Sequence, residues 1–398
     1  MEAIEQPRQY QRRLQTGILI AMRLMLLVAL PLEGIQGYGD FRHFFELAWL
    51  AVDGGGGLPF ITHWVEFPPM FPFISVGIYI LAGGVEYRYV YLLALVMLAF
   101  DAGCLVLFQR LAGKFTSAGN AERVGWIYLV YLMLPAFGWW TFEPIGVFLA
   151  LLTFLFILED KPVQAGVAAG LGILTKLIPA LPLLGLWAKR RWKAALTATL
   201  LAFMLAAIAV IPLFREGGAF AKASLQAQFT KGSWETVWAL FDRNLTTGSY
   251  GPIEEHLSLD AGLISRGNPS RIPHWIPTLL AAGVGLWLFL RMKGDIGSLL
   301  RIITAAWCMM FLWSKGWSPQ WLAYLIPFLL LALPLREALV FSMALMLTSL
   351  AEWPLLLSRG RFDLLWITVP LRTIVLLLLT YVLAKMILNP ESASKGAL

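Results

Sequence analysis

Charge is scarce in this chain. Only 14% of its 398 residues are Asp, Glu, Lys or Arg, a share too low for a soluble globular domain or a solvated disordered segment. Cysteine is nearly missing: Cys104 and Cys308 are the two, each inside an apolar run, so no disulfide framework and no thiolate metal cluster follows, and both read as core fillers. Histidine is sparse too. His43 and His63 share a loop with carboxylates, but no metal-ligand spacing joins them, so no metal is expected. There is no internal repeat of about 20–50 residues and no inverted symmetry between the two halves, which argues against a solenoid and a transporter of the inverted-repeat kind.

What is present is apolar. Hydrophobic residues make up 59% of the chain, in long runs, and together with the scarcity of charge this defines an all-α polytopic membrane protein. The formal net charge of +7 is spread as short Lys/Arg clusters between the runs, the distribution of membrane orientation signals, so a nucleic-acid partner is not expected. Arg8, Arg12 and Arg13 precede the first apolar run and no small-residue cleavage site follows it, the pattern of an uncleaved anchor with a cytoplasmic N-terminus.

Apolar runs place spans near 16–32, 88–109, 124–138, 144–158, 163–188, 194–214, 274–291, 297–313, 320–335, 338–354 and 363–387. With the 67–83 segment this gives about 11–12 membrane helices in one domain over 1–398. Residues 67–83 carry Pro68, Pro69 and Pro72, which favours a re-entrant hairpin over a full crossing. The basic loop 109–123 is then cytoplasmic, and 33–66 and 215–273 become two elaborated extracytoplasmic loops. The same charge rule requires 163–188 to be two short helices meeting near "LTKLIP", and Arg359 and Arg361 dissent from it.

Acidic residues concentrate in the first outer segment: Glu33, Asp40, Glu46, Asp53, Glu66 and Glu86. Asp40 opens the run "DFRHFFELAWLAV", in which Phe41, Phe44, Phe45, Ala48 and Trp49 form one helical face suited to the membrane interface. Asp40 is then either a helix N-cap or a functional carboxylate. Asp101 is a lone acid inside a span, either paired in the bundle or functional. Lys176 stands inside an apolar run at a helix break, where a charge is costly unless an anion compensates it; a snorkelling lysine is the alternative.

Four stretches in this order, "GYGDFRHFFELA", "HWVEFPPMFPF", "GILTKLIPALPL" and "KGWSPQWLAYLIPF", resemble the GT-C superfamily of integral-membrane glycosyltransferases. Within it the chain is most similar to the bacterial and archaeal polyprenol-phosphate-mannose-dependent mannosyltransferases, over roughly residues 15–335. The resemblance implies a GT-C fold in the cell membrane and inverting transfer of a sugar, mannose, on the extracytoplasmic side. The donor is a polyprenyl-phosphate-linked sugar, the acceptor a glycan or glycolipid. Asp40 matches the first-loop acid and is the expected base, with Glu66 and Glu143 as the next acids. For Glu143, an interfacial acid beside an aromatic belt at Trp139 and Trp140 is the competing reading.

The departing lipid phosphate needs fixed cations, for which Lys176 is the first candidate, then Lys315 and Gln320, and Arg42 unless it merely pairs with Glu46 one turn on. In the large loop, Trp234, Trp238, Phe241 and Tyr250 beside Glu235, Asp242 and Arg243 suit acceptor binding, with Trp234, Glu235 and Arg243 as the leading set; interfacial packing explains the aromatics equally well. Asn244 heads the sequon "NLT". A membrane transporter or lipid flippase is the rival class, and would need polar groups along a path through the midplane.

Overall fold

The computed structural model describes residues 2–36, 39–134, 141–248, 251–264 and 266–389; Trp139, Trp140 and Tyr250 lie outside them. The described residues form helices and no strand. In chain order these are α1 (Glu2–Ala29), α2 (Leu32–Gln36), α3 (Phe41–Val52), α4 (Met70–Leu81), α5 (Glu86–Phe115), α6 (Ala118–Leu132), α7 (Glu143–Leu158), α8 (Pro162–Thr175) and α9 (Leu184–Ala188). Then follow α10 (Trp192–Glu216), α11 (Gly218–Thr230), α12 (Val237–Asp242), α13 (Trp275–Arg291), α14 (Ile296–Trp313), α15 (Leu322–Ala332), α16 (Leu335–Leu350) and α17 (Leu365–Leu388).

Among the described residues, five helical segments are long and apolar enough to cross a membrane: Glu86–Phe115, Trp192–Glu216, Ile296–Trp313, Leu335–Arg359 and Phe362–Leu388. Six shorter apolar helices pack among them. The protein is an all-α polytopic membrane protein. Its helices cannot gain much by leaving water, so contact quality decides their packing. Gly166 and Gly170 of α8 lie so close to α10 that a Cβ would stand 2.7 Å from the Ala198 carbonyl and 3.0 Å from that of Ala202, a small-residue seam. Gly146 of α7 admits Tyr324, whose ring stacks on Trp307 at 5.4 Å in the central core.

Two polar pairs tie helices within the bundle. Arg23 of α1 meets Asp101 of α5 at 3.3 Å and also donates to the Leu132 carbonyl at the end of α6, so Asp101 is a bundle tie. Gln109 donates to Gln15 at 2.7 Å nearer the other end of the same helices.

Two regions gain detail beyond the reading of the sequence. Residues 67–83 hold one helix, α4, entered through Pro68 and Pro69 and left through Gly83 and Gly84 at φ +65° and +72°. Twelve residues of helix extend about 18 Å, short of a bilayer core of about 30 Å, and the chain reverses after α4, into α5. The helix after Asp40 is more enclosed than an interface helix: Phe41, Phe44, Leu47, Ala48 and Leu50 are buried, and Trp49 is 40% exposed. Phe44 meets Phe71 of α4 at 4.6 Å, and Phe71 stacks on Phe142 at 4.4 Å. This aromatic chain couples α3 and α4 to the start of α7.

Arg23→Leu leaves the Asp101 carboxylate buried without its cation, and about 3–5 kcal/mol of destabilisation is expected. The double variant Arg23→Leu/Asp101→Leu recovers most of it. Thermal unfolding of the purified protein in detergent checks both, and a loss in the double variant equal to the sum of the Arg23→Leu and Asp101→Leu losses would show that the pair is not coupled.

Candidate active site

One cavity of about 1180 Å³ gathers most of the polar candidates. Asp40, Glu66, Glu143, Lys176, Lys315, Gln320, Trp234 and Glu235 all line it. Part of its wall is apolar, with Leu177 70% exposed and Phe229 76% exposed. A volume above the usual range of about 300–1,000 Å³ for a single small ligand leaves room for two reactants.

Asp40 occupies the N-cap position of α3, yet its side chain makes no capping bond; only its carbonyl serves the helix, accepting from Phe44 N at 2.9 Å. The carboxylate is therefore left for the cavity. Enclosure raises its pKa from the ordinary value to about 6; Glu143 and Glu66 push the same way, while His43 and Lys176 oppose them.

Lys176 and Glu143 form the strongest feature of the site. Helix α8 ends at Thr175, and Lys176 leaves it in an extended conformation (φ −164°, ψ 147°) before Pro179 and Pro182 turn the chain. The break falls where the sequence places it. Glu143 is the first residue of α7, 1% exposed, and the Lys176 ammonium reaches it at 2.5 Å. The same ammonium stands 5.0 Å from the ring centre of Trp321 and 5.5 Å from that of Phe142, two faces that favour a cation.

Glu66 lies behind Asp40. Its Oε1 is bonded to His43 Nε2, and its backbone carbonyl accepts from Gln228. Burial works against the Glu66 charge, but the imidazole beside it wins and holds the carboxyl down at about 2; burial likewise opposes a charged His43, and Glu66 overrides it and raises that pKa. His256, from the far loop, completes the group: it stacks on Trp64 at 4.0 Å, and its Nδ1 lies 3.8 Å from Glu66 Oε2. His43, Glu66 and His256 offer ligand atoms within 4.8 Å of one another, enough for a metal ion by distance. His256 Nδ1 is 2.8 Å from the Trp64 carbonyl, which can only accept, so this nitrogen carries a proton, and His43 occupies one Glu66 oxygen; His256 Nε2 and Glu66 Oε2 are buried with no hydrogen-bond partner among the described residues. His63 is buried outside the large cavity, with burial lowering its pKa to about 4.

The opposite wall is stitched from two loops. Trp234 N donates to the Lys315 carbonyl at 3.1 Å and Trp317 N to the Trp234 carbonyl at 3.2 Å. The Lys315 ammonium donates to the carbonyls of Phe229 (3.0 Å) and Lys231 (2.5 Å), closing the end of α11. Lys231, which the sequence did not single out, also lines the cavity; burial brings its pKa down to about 8, and its ammonium stands 4.4 Å from the Trp234 ring centre. Glu235 is buried in the left-handed region at φ +50°, and its Oε2 has no hydrogen-bond partner among the described residues. Burial, then Glu352, pushes its carboxyl well up.

Two candidates lie elsewhere. Arg42 is exposed and bound to Glu46 at 3.0 Å, and Arg243 is exposed where it closes α12 at φ +61°; neither lines the cavity. The Asn244 side chain is also engaged, donating to Ser233 and to the Asn268 carbonyl at 3.1 Å each, so the sequon is not presented. Sequence reasoning missed His256, Lys231, Trp321 and Trp353. Only Trp321 carried a signal, its place beside Gln320 in "SPQWLAYL".

The cavity thus brings a carboxylate that makes no capping bond together with a lysine from a helix break. The profile of glycosyltransferase family 87 matches residues 64–334, more than half of the chain, and the protein belongs to that family. No curated protein and no solved structure matches it.

The Asp40 carboxyl band, identified by its loss in Asp40→Asn, should titrate near pH 6 in difference infrared spectra. Lys176→Met removes a charge that lowers this pKa, so the midpoint should move to higher pH. An unchanged midpoint would show that Lys176 does not act on Asp40.

Proposed function

We propose that this glycosyltransferase moves mannose from a polyprenyl-phosphate donor to a lipid-linked or surface glycan, with inversion, on the extracytoplasmic side of the cell membrane. Asp40 accepts the proton of the acceptor hydroxyl as that oxygen bonds to the anomeric carbon; the bond from that carbon to the phosphate oxygen breaks on the opposite face, and its electron pair leaves with the polyprenyl phosphate. Lys176 meets the charge gathering on the phosphate, and Lys315 and Gln320 line the same cavity. Glu143 holds Lys176 in place before the donor arrives. Glu66 fixes His43, whose positive charge favours the ionised form of Asp40. Trp234 and Glu235 bind the acceptor.

The observation that carries this reading is the ion pair of Lys176 and Glu143 at a helix break beside Asp40, in a cavity with an apolar wall. A polyprenyl phosphate presents one charged group at the end of a long apolar chain. Leu177, next to Lys176, and Phe214 and Leu225 give that chain an apolar surface along the cavity. Because the family is one of glycosyltransferases, a transporter or flippase no longer accounts for the chain.

Asp40→Asn should leave donor binding intact and cut turnover by about 10²-fold or more. In the wild type, kcat/KM should fall below pH 6: an acid with pKa about 6 is only about one-tenth ionised at pH 5. Labelled polyprenyl-phosphate mannose and a lipid-linked glycan acceptor provide the assay, and turnover by Asp40→Asn within a few-fold of wild type would remove Asp40 from the reaction. Lys176→Met should weaken donor binding and slow transfer together, since the phosphate gains charge as the bond breaks.

On the same reading transfer needs no metal, because Lys176 supplies the positive charge at the phosphate. Activity should survive dialysis against EDTA; a loss restored by a divalent cation would move the His43, Glu66 and His256 group into the mechanism as its ligands.

A further inference from the structure

The family match ends at residue 334, yet the chain beyond it reaches the cavity: Trp353 and Leu357 are part of its lining. They arrive there through a kink: α16 ends at Leu350, and the helical segment that runs on to Arg359 is broken at Trp353. Trp353 is extended (φ −133°, ψ 125°) inside the segment Ala351–Leu356.

Arg372 of α17, 2% exposed, ties this segment to the wall already described. One of its terminal nitrogens binds the carboxylate of Glu352, the residue before Trp353, and the other binds the backbone carbonyl of Glu235. The guanidinium lies 4.4 Å from the ring centre of Trp317, whose N–H donates to the Trp234 carbonyl at 3.2 Å. One planar cation thus sets Glu235, Glu352 and Trp317 relative to one another, and their neighbours Trp353 and Trp234 with them. Beneath them Leu240, Leu357, Leu365 and Val369 form a separate apolar cluster against which Trp353 packs.

We propose that Trp353 forms, with Trp234 and Glu235, a subsite for a pyranose ring of the acceptor, and that Arg372 is its positioning residue. This rests on the acceptor-side reading of Trp234 and Glu235 given above. A pyranose offers a face of C–H groups to an indole and a rim of hydroxyls to a carboxyl group, and the lining includes two indoles and Glu235, whose buried Oε2 has no hydrogen-bond partner among the described residues. Trp353 comes from outside the matched region, so the subsite joins residues that the family profile covers to one that it does not.

Full-length protein in nanodiscs, probed with octyl α-mannopyranoside as the sugar and decaprenyl phosphate as the lipid phosphate, tests the assignment. Trp353→Ala should weaken octyl mannoside binding by about tenfold or more, with Trp353→Phe within a few-fold of wild type and decaprenyl phosphate bound equally by all three. Arg372→Met should lose octyl mannoside selectively, and Arg372→Lys, which keeps the charge but not the fork, should recover part of it. Unchanged sugar binding in Trp353→Ala, or equal loss of both ligands, overturns the subsite. Wild-type protein that binds no octyl mannoside overturns it as well. Wild-type protein that binds octyl mannoside but no decaprenyl phosphate leaves the subsite standing and overturns the donor reading instead.

Discussion

The ion pair of Lys176 and Glu143 is the constraint on which the rest of the site depends. Glu143 is the first residue of α7 and Lys176 the residue that caps α8. These helices are packed side by side and joined by a tight turn at Leu158–Pro162, so the N-terminus of one lies beside the C-terminus of the other. The acid therefore stands at the positive end of its helix dipole and the lysine at the negative end of its own. Each charge is favoured where it is before the two meet, and the 2.5 Å contact offsets what burial of both costs. Removing either partner would leave a buried charge and free the break at Leu177–Pro179 from its anchor.

Asp40 inherits its properties from that pair. Glu143 pushes the Asp40 carboxyl up and Lys176 pulls it down, so neither partner can move without changing the base beside it. The aromatic chain from Phe44 through Phe71 to Phe142 holds the distance: it fixes α3, which carries Asp40, against the residue just before Glu143. Phe142 belongs to both systems, since it also faces the Lys176 ammonium. The packing of the first loop and the electrostatics of the cavity are thus one arrangement.

The membrane class and the break at Lys176 were legible in the sequence because both rest on local signals: apolar runs of span length, and a charge followed by two prolines inside one of them. Asp40 was legible as a helix start. That its side chain would not cap the helix was not, since a capping bond depends on where the loop before it turns. Arg42 and Arg243 show the limit of proximity along the chain. Two residues from Asp40 on a helix is about 200° around the axis, which sends Arg42 away from the carboxylate and toward Glu46. His256 and Arg372 were invisible for another reason: each meets a backbone carbonyl more than a hundred residues away, and nothing in "EEHLS" or "VPLRTI" marks the contact.

The distribution of charge around the cavity bears on how one site serves two substrates. On one side Asp40, Glu66 and Glu143 face Lys176 and His43, and the acids are held by cations that a phosphate could share. On the other side the cations are already engaged: Lys315 with the carbonyls of Phe229 and Lys231, Arg372 with the Glu352 carboxylate and the carbonyl of Glu235. A cation that spends its donors on carbonyls shapes a wall without offering its charge fully to a ligand. On the reading proposed here, the first side suits an anionic donor and the second a neutral sugar presented to aromatic faces. The two substrates would then be sorted by chemistry before either reaches Asp40, and the base need only stand where both surfaces end.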